Sequence, residues 1–153
     1  MSEYDSSKDT QKHITRVDDL VQQFVVKLLK RAILHDKSKL EKEEKPYFDK
    51  YTPLLKKLTY NSPEYKDSLK KLQVALDHHY ENNSHHPEHH ENGIDDMDLM
   101  DICEMFFDWK AATERHEDGD IFKSLDSNKE RFGLSDQLYN ILKNTAKKFE
   151  WEK

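Results

Sequence analysis

The chain has little of what punctuates or staples a fold: one cysteine, three glycines and four prolines in 153 residues. The lone Cys103 excludes an internal disulfide framework and fits a reducing compartment. No apolar run approaches the roughly 18 residues that a membrane span requires, and the first residues show no secretory pattern. A cytoplasmic location is therefore expected. A strong charge of one sign is missing too. The 25 basic and 31 acidic residues leave a formal charge of −6, which argues against a broad nucleic-acid surface. Apolar and polar residues never alternate long enough to make a convincing strand. Hydrophobic residues make up only 35% against 37% charged, and the mean hydropathy is −1.06. So polar a composition borders on disorder, yet seven Phe, seven Tyr and two Trp supply a modest core. What is present in excess is histidine: nine in all, six of them from His78 to His90.

Apolar positions Ile14, Val17, Val21, Phe24, Leu28 and Ala32 recur at helical spacing. Residues 1–10 lack periodicity and read as a flexible tail. Pro46 and Pro53 predict a break of residues 40–59 into short helices. Ser62-Pro63-Glu64 reads as the N-cap and first positions of a helix whose stripe is Tyr65, Leu69, Leu72, Leu76 and His79. A loop over 82–95 follows, then helices over about 96–116, 120–132 and 135–149. The expectation is an all-α, compact single-domain bundle of about six helices, covering 11–153.

Four sets of residues carry chemistry. His35-Asp36 closes the first helix, and adjacent helical residues point about 100° apart, so both can approach one ion. The bland alternative is a histidine neutralising a helix C-terminus beside a solvated aspartate. In the tract from His78 to His90, six histidines in thirteen residues are costly to explain as packing. His79 continues the core-facing stripe with His78 as its alternate. His85 and His86 follow, His89 stands in reserve, and His90 and His116 read as surface or loop residues. Asp101, Glu104 and Asp108 share one face of a helix otherwise lined by Ile102, Met105, Phe106 and Trp109. Buried carboxylates there need a cation or full hydrogen bonding, unless the face meets solvent. Lys39, Arg115, Lys123, Asn128 and Arg131 offer donors for an anion, Lys39 and Arg115 foremost.

In chain order, His35-Asp36, His79, His85-His86 and Asp108 resemble the HD superfamily of metal-dependent phosphohydrolases, helical domains named for the doublet. Lys39, four residues after His35, matches the family's phosphate-holding lysine. His79 and His85-His86 look like the helix histidine and His-His pair that di-metal branches add. The segments His35-Asp36-Lys37-Ser38-Lys39, His85-His86-Pro87-Glu88-His89 and Glu104-Met105-Phe106-Phe107-Asp108-Trp109-Lys110 resemble a small uncharacterised family from bacteria and their phages. That resemblance spans about His13 to Lys148 and implies no substrate.

The HD resemblance implies one or two divalent ions (Mn, Fe, Zn, Mg or Co) on His35, Asp36, His79, His85, His86 and Asp108. His13, His78 and His89 are further candidates. It implies hydrolysis of a nucleotide or cyclic-nucleotide phosphoester by metal-activated water. Lys39 would neutralise phosphoryl oxygens and Glu104 would orient the water or a ligand histidine. Arg115, Lys123, Asn128 and Arg131 would hold substrate. Two departures stand out. HD domains draw a ligand from the preceding helix, where His13 is the sole candidate. It precedes His35 by 22 residues, ~33 Å on a continuous helix. The glycine-tyrosine-proline segment of the HD-GYP branch is absent, so cyclic di-GMP is not specifically implied. The alternative function is a non-catalytic, metal-stabilised module that sequesters a nucleotide or grips a protein. A di-iron oxidase would need paired Glu-x-x-His motifs, and Phe107 stands three residues after Glu104. The aromatic content leaves room for a homodimer.

Overall fold

The structure, a computed structural model, describes residues 4–58, 62–115 and 117–152. Among them are six α-helices and no strand: α1 (Ser7–Leu34), α2 (Lys45–Leu55), α3 (Pro63–Asn82), α4 (Leu99–Thr113), α5 (Ile121–Phe132) and α6 (Asp136–Lys148). The chain is all-α, as expected. None of these helices is long and apolar enough to cross a membrane. His116 lies outside the described residues.

The chain divides into two units, Met1–His35 and Asp36–Lys153. The first holds α1, an unbroken helix of 28 residues. It begins at Ser7, so the last residues of the expected tail form its first turn.

In the second unit, α2 is one helix of 11 residues, not several short ones. Pro46 sits in its first turn, where a missing N–H leaves no intrahelical bond unmade, and Pro53 falls near its end. α2 packs against α3, whose start follows the sequence expectation. Ser62 Oγ accepts the Tyr65 N–H at 3.1 Å, a cap contributing about 1 kcal/mol. α3 buries Leu72, Ala75 and, in its last turn, His79.

α4, α5 and α6 pack in succession around Ile102, Met105, Phe106, Ile121, Leu125, Leu142 and Ala146. Burying each of the larger members contributes roughly 1.5–3 kcal/mol. Asp98 caps α4 in a reciprocal box: its side chain takes the Asp101 N–H, and the Asp101 carboxylate takes the Asp98 N–H. Gly133 ends α5 at φ +66, a left-handed conformation that glycine adopts at little cost. Between α3 and α4 the chain makes short 3-10 turns at Pro87–His89 and Gly93–Asp96. The first of these lies against α3, bringing the residues just before it back over the end that carries His79.

Candidate metal centre

Asp36 takes φ +56, ψ 14, a left-handed conformation that aspartate tolerates better than most residues. From there the chain enters a short turn, Lys37–Leu40. Asp36 Oδ2 accepts from Lys39 Nζ at 2.6 Å. Asp36 Oδ1 lies 3.1 Å from His79 Nε2 and 3.5 Å from His85 Nε2. The His86 Nε2 completes the group, 3.0 Å from His79 Nε2. One donor atom from each of Asp36, His79, His85 and His86 lies within 4.8 Å of all the others. His79 and His85 are buried, while Asp36 and His86 are half-buried.

Four donors held 2.0–2.2 Å from a tetrahedral ion lie about 3.3–3.6 Å from one another. The spacings of 3.0, 3.1 and 3.5 Å lie near that range, and all four donors lie within 4.8 Å of one another. The far side of the rings fits as well. His79 Nδ1 is 3.0 Å from Glu44 Oε2, and His85 Nδ1 is 3.1 Å from Glu104 Oε1. A carboxylate on one ring nitrogen, with the other facing a shared point, is how metal-binding histidines are oriented.

Electrostatics agree. Burial first, then the neighbouring His85 and His79, push His86 down to about 3, so its ring is neutral and its nitrogen can donate to a metal. Burial alone would raise Asp36. Hydrogen bonds with His79, His85 and Lys39, and the Lys39 charge, outweigh it and hold the carboxyl well below its usual range. The site therefore offers an ionised carboxylate and at least one neutral imidazole. The described His/Asp group could hold a metal ion.

Residues 2–148 match a family of unknown function (DUF5662). The chain belongs to this family. No curated protein and no solved structure matches it. The matched range contains every residue of the site described above.

The structure decides between His78 and His79. His79 enters the cluster, whereas the partly exposed His78 places Nδ1 2.8 Å from Glu44 Oε1. His89 is exposed, with Nδ1 2.7 Å from the Tyr80 carbonyl, and His90 Nε2 lies 2.9 Å from the Ser84 carbonyl. His78 thus contacts a carboxylate and His89 a loop carbonyl, and neither belongs to the group of four. His13 is exposed near the start of α1. Because α1 runs unbroken to Leu34, His13 stands ~33 Å from His35 and cannot share its ion. His35 caps the end of α1, immediately before Asp36.

The acidic stripe of α4 splits. Glu104 holds His85, and Asp108 Oδ2 lies 4.0 Å from His85 Nε2 at the edge of the cluster. Asp101 is buried but is occupied by the Ser84 hydroxyl at 2.6 Å and the Asp98 N–H at 3.1 Å, which tie the loop to α4. Of the anion candidates, Lys39 sits on Asp36, and Arg115 and Lys123 are exposed. Asn128 donates to Ser124 Oγ at 3.2 Å and Arg131 to Glu88 Oε1 at 2.9 Å.

Sequence reasoning missed Glu44. The run Glu41-Lys42-Glu43-Glu44-Lys45 reads as a solvated charge cluster, yet Glu44 is fully buried. The only available signal was its place just ahead of Pro46, which marks a helix start but not a direction.

Proposed function

We propose that this protein is a metal-dependent phosphohydrolase that cleaves a nucleotide or cyclic-nucleotide phosphoester, the activity implied by the resemblance of its His35-Asp36 doublet to the HD superfamily. The observation carrying this reading is the convergence of Asp36, His79, His85 and His86, with His79 and His85 each backed by a carboxylate. Three imidazoles and one carboxylate suit Zn, Mn, Fe or Co better than Mg, which prefers an oxygen shell.

A divalent ion bound there supplies an acidified water and positive charge for the phosphoryl oxygens. The chain's own residues do the rest. The half-buried Asp36 and His86 give the cluster a side that substrate can reach. Asp36 Oδ2 keeps the Lys39 ammonium beside the site, where it can neutralise a phosphoryl oxygen. Glu104 orients His85, and Asp108 stands close enough to complete a ligand set or take a proton from the attacking water. His35 joins the proposal as the chain neighbour of Asp36.

One observation favours the second reading, a non-catalytic metal-stabilised module that sequesters a nucleotide or grips a protein. Four protein donors suffice to fill a tetrahedral shell, the closed pattern of structural sites. The deciding experiment loads the full chain with Mn(II), Co(II) or Zn(II). It then assays bis-p-nitrophenyl phosphate, p-nitrophenyl phosphate and a panel of linear and cyclic nucleotides. Turnover that disappears in Asp36→Asn supports the hydrolase. Bound metal with every ester intact contradicts it and leaves the module.

A further inference from the structure

α1 buries none of its residues, although it carries a long apolar stripe. Ile14, Val17, Val21, Val25 and Leu29 are 53, 44, 56, 44 and 57% exposed, and Ala32 is exposed as well. The intervals between these six are 3, 4, 4, 4 and 3 residues, 18 in five steps, which is the 3.6-residue period of a straight helix. The stripe therefore runs along the axis without drifting round it, and suits a neighbour lying side by side with α1. The intervals also read the same from either end. A second copy turned end over end sets its position 32 opposite Ile14, its 29 opposite Val17 and its 25 opposite Val21. Apolar meets apolar at each level, the self-complementarity of a two-fold interface.

Area and charge point the same way. With 28 residues, α1 is ~42 Å long, and a helix with side chains is about 10–12 Å across. Covering such a strip on two copies removes roughly 850–1,000 Å², close to the ~1,000 Å² that a specific interface needs. A partner crossing α1 obliquely falls short, whereas a second α1 matches its whole length. Residues 21–34 hold Lys27, Lys30 and Arg31 and no acid, while residues 7–20 hold three bases and three acids. A parallel pair stacks two cationic halves, and an antiparallel pair sets each beside a neutral one. Lipid suits this face less well. Asp18 and Gln22, joined at 2.8 Å, border the stripe, and an apolar phase would have to take in the carboxylate. The rim of a protein interface stays wet.

We propose that α1 pairs antiparallel with α1 of a second copy of this chain, along the stripe from Ile14 to Ala32. The pairing requires neither metal nor turnover. The test is light scattering of the full chain after size exclusion, without added metal. The expected mass is twice 18.3 kDa. Val21→Glu and Val25→Lys, both at exposed positions, are each expected to halve it with circular dichroism unchanged. Mixed in equal amounts they restore it, because only an antiparallel pair sets the two opposite new charges at one level. A wild-type mass of one chain at every concentration tested overturns the pairing. Sedimentation of that monomer with phosphatidylserine vesicles would assign the face to lipid. A doubled mass that survives both substitutions overturns α1 as the interface, and failure to restore it on mixing overturns the antiparallel direction. If either variant does not fold, cysteines in a Cys103→Ser background decide. Ile14→Cys mixed with Ala32→Cys is expected to cross-link, and Ile14→Cys linked to its own copy, ~27 Å away in an antiparallel pair, overturns the proposal.

Discussion

His79, His85 and His86 contrast with His78, His89 and His90, which come from the same thirteen residues. The inner three turn ring nitrogens toward one point, and His79 and His85 have a carboxylate behind them. Of the outer three, His89 and His90 contact backbone carbonyls and His78 contacts the far oxygen of Glu44. What separates the two sets is whether a ring nitrogen reaches the shared centre, not the local sequence. A carbonyl fixes a loop, whereas a carboxylate opposite a shared centre orients a ligand.

Mutation tests this division first. Asp36→Ala or His85→Ala should weaken Co(II) binding by more than about a hundredfold, beyond the range of losses at supporting partners. Competition titration measures this, and an equal loss in His89→Ala would erase the distinction between the sets. Removing metal comes next in size. Free ion at a hundred times its Kd contributes about 2.7 kcal/mol, so chelation should lower the Tm by roughly 5–10 °C in calorimetry. An unchanged Tm would mean that folding does not draw on the inner set.

Acid should also act on the inner set. In metal-free protein, His86 takes up a proton near pH 3, whereas the unfolded chain does so near 6.5. The unfolded state therefore binds more protons between these values, and stability must fall as pH drops from about 6.5 toward 3. Asp36, also held low, adds to the loss below the ordinary carboxylate value of about 3.9. Urea midpoints against pH should show this slope, and His86→Gln should flatten its upper part. A slope unchanged by His86→Gln would reassign the acid sensitivity. The smallest effect belongs to the outer set. His90→Ala should cost about 1 kcal/mol of stability and leave Co(II) affinity within about threefold.

Local signals were legible in the sequence, and distant partners were not. Ser62 as a cap needs only the residue three positions on, and it was readable. His79 was placed inward by the periodicity of Leu69, Leu72 and Leu76, and Glu104 and Asp108 by sharing a helix face. Glu44 escaped because its partner His79 is 35 residues away and nothing in a charged run says which member turns inward. Asp101 looked equivalent to Glu104, yet a hydroxyl 17 residues earlier claims it. Carbonyl partners such as those of His89 and His90 carry no side-chain signature at all. α2 stayed whole because Pro46 falls where a helix tolerates it.

The central claim is that Asp36, His79, His85 and His86 hold one ion. X-ray absorption of the Zn(II)- or Co(II)-loaded full chain addresses it directly. The account predicts one ion per chain, a nitrogen and oxygen shell at about 2.0–2.2 Å, and outer-shell scattering from about three imidazoles. An oxygen-only shell without imidazole scattering, or no stoichiometric ion, would contradict it.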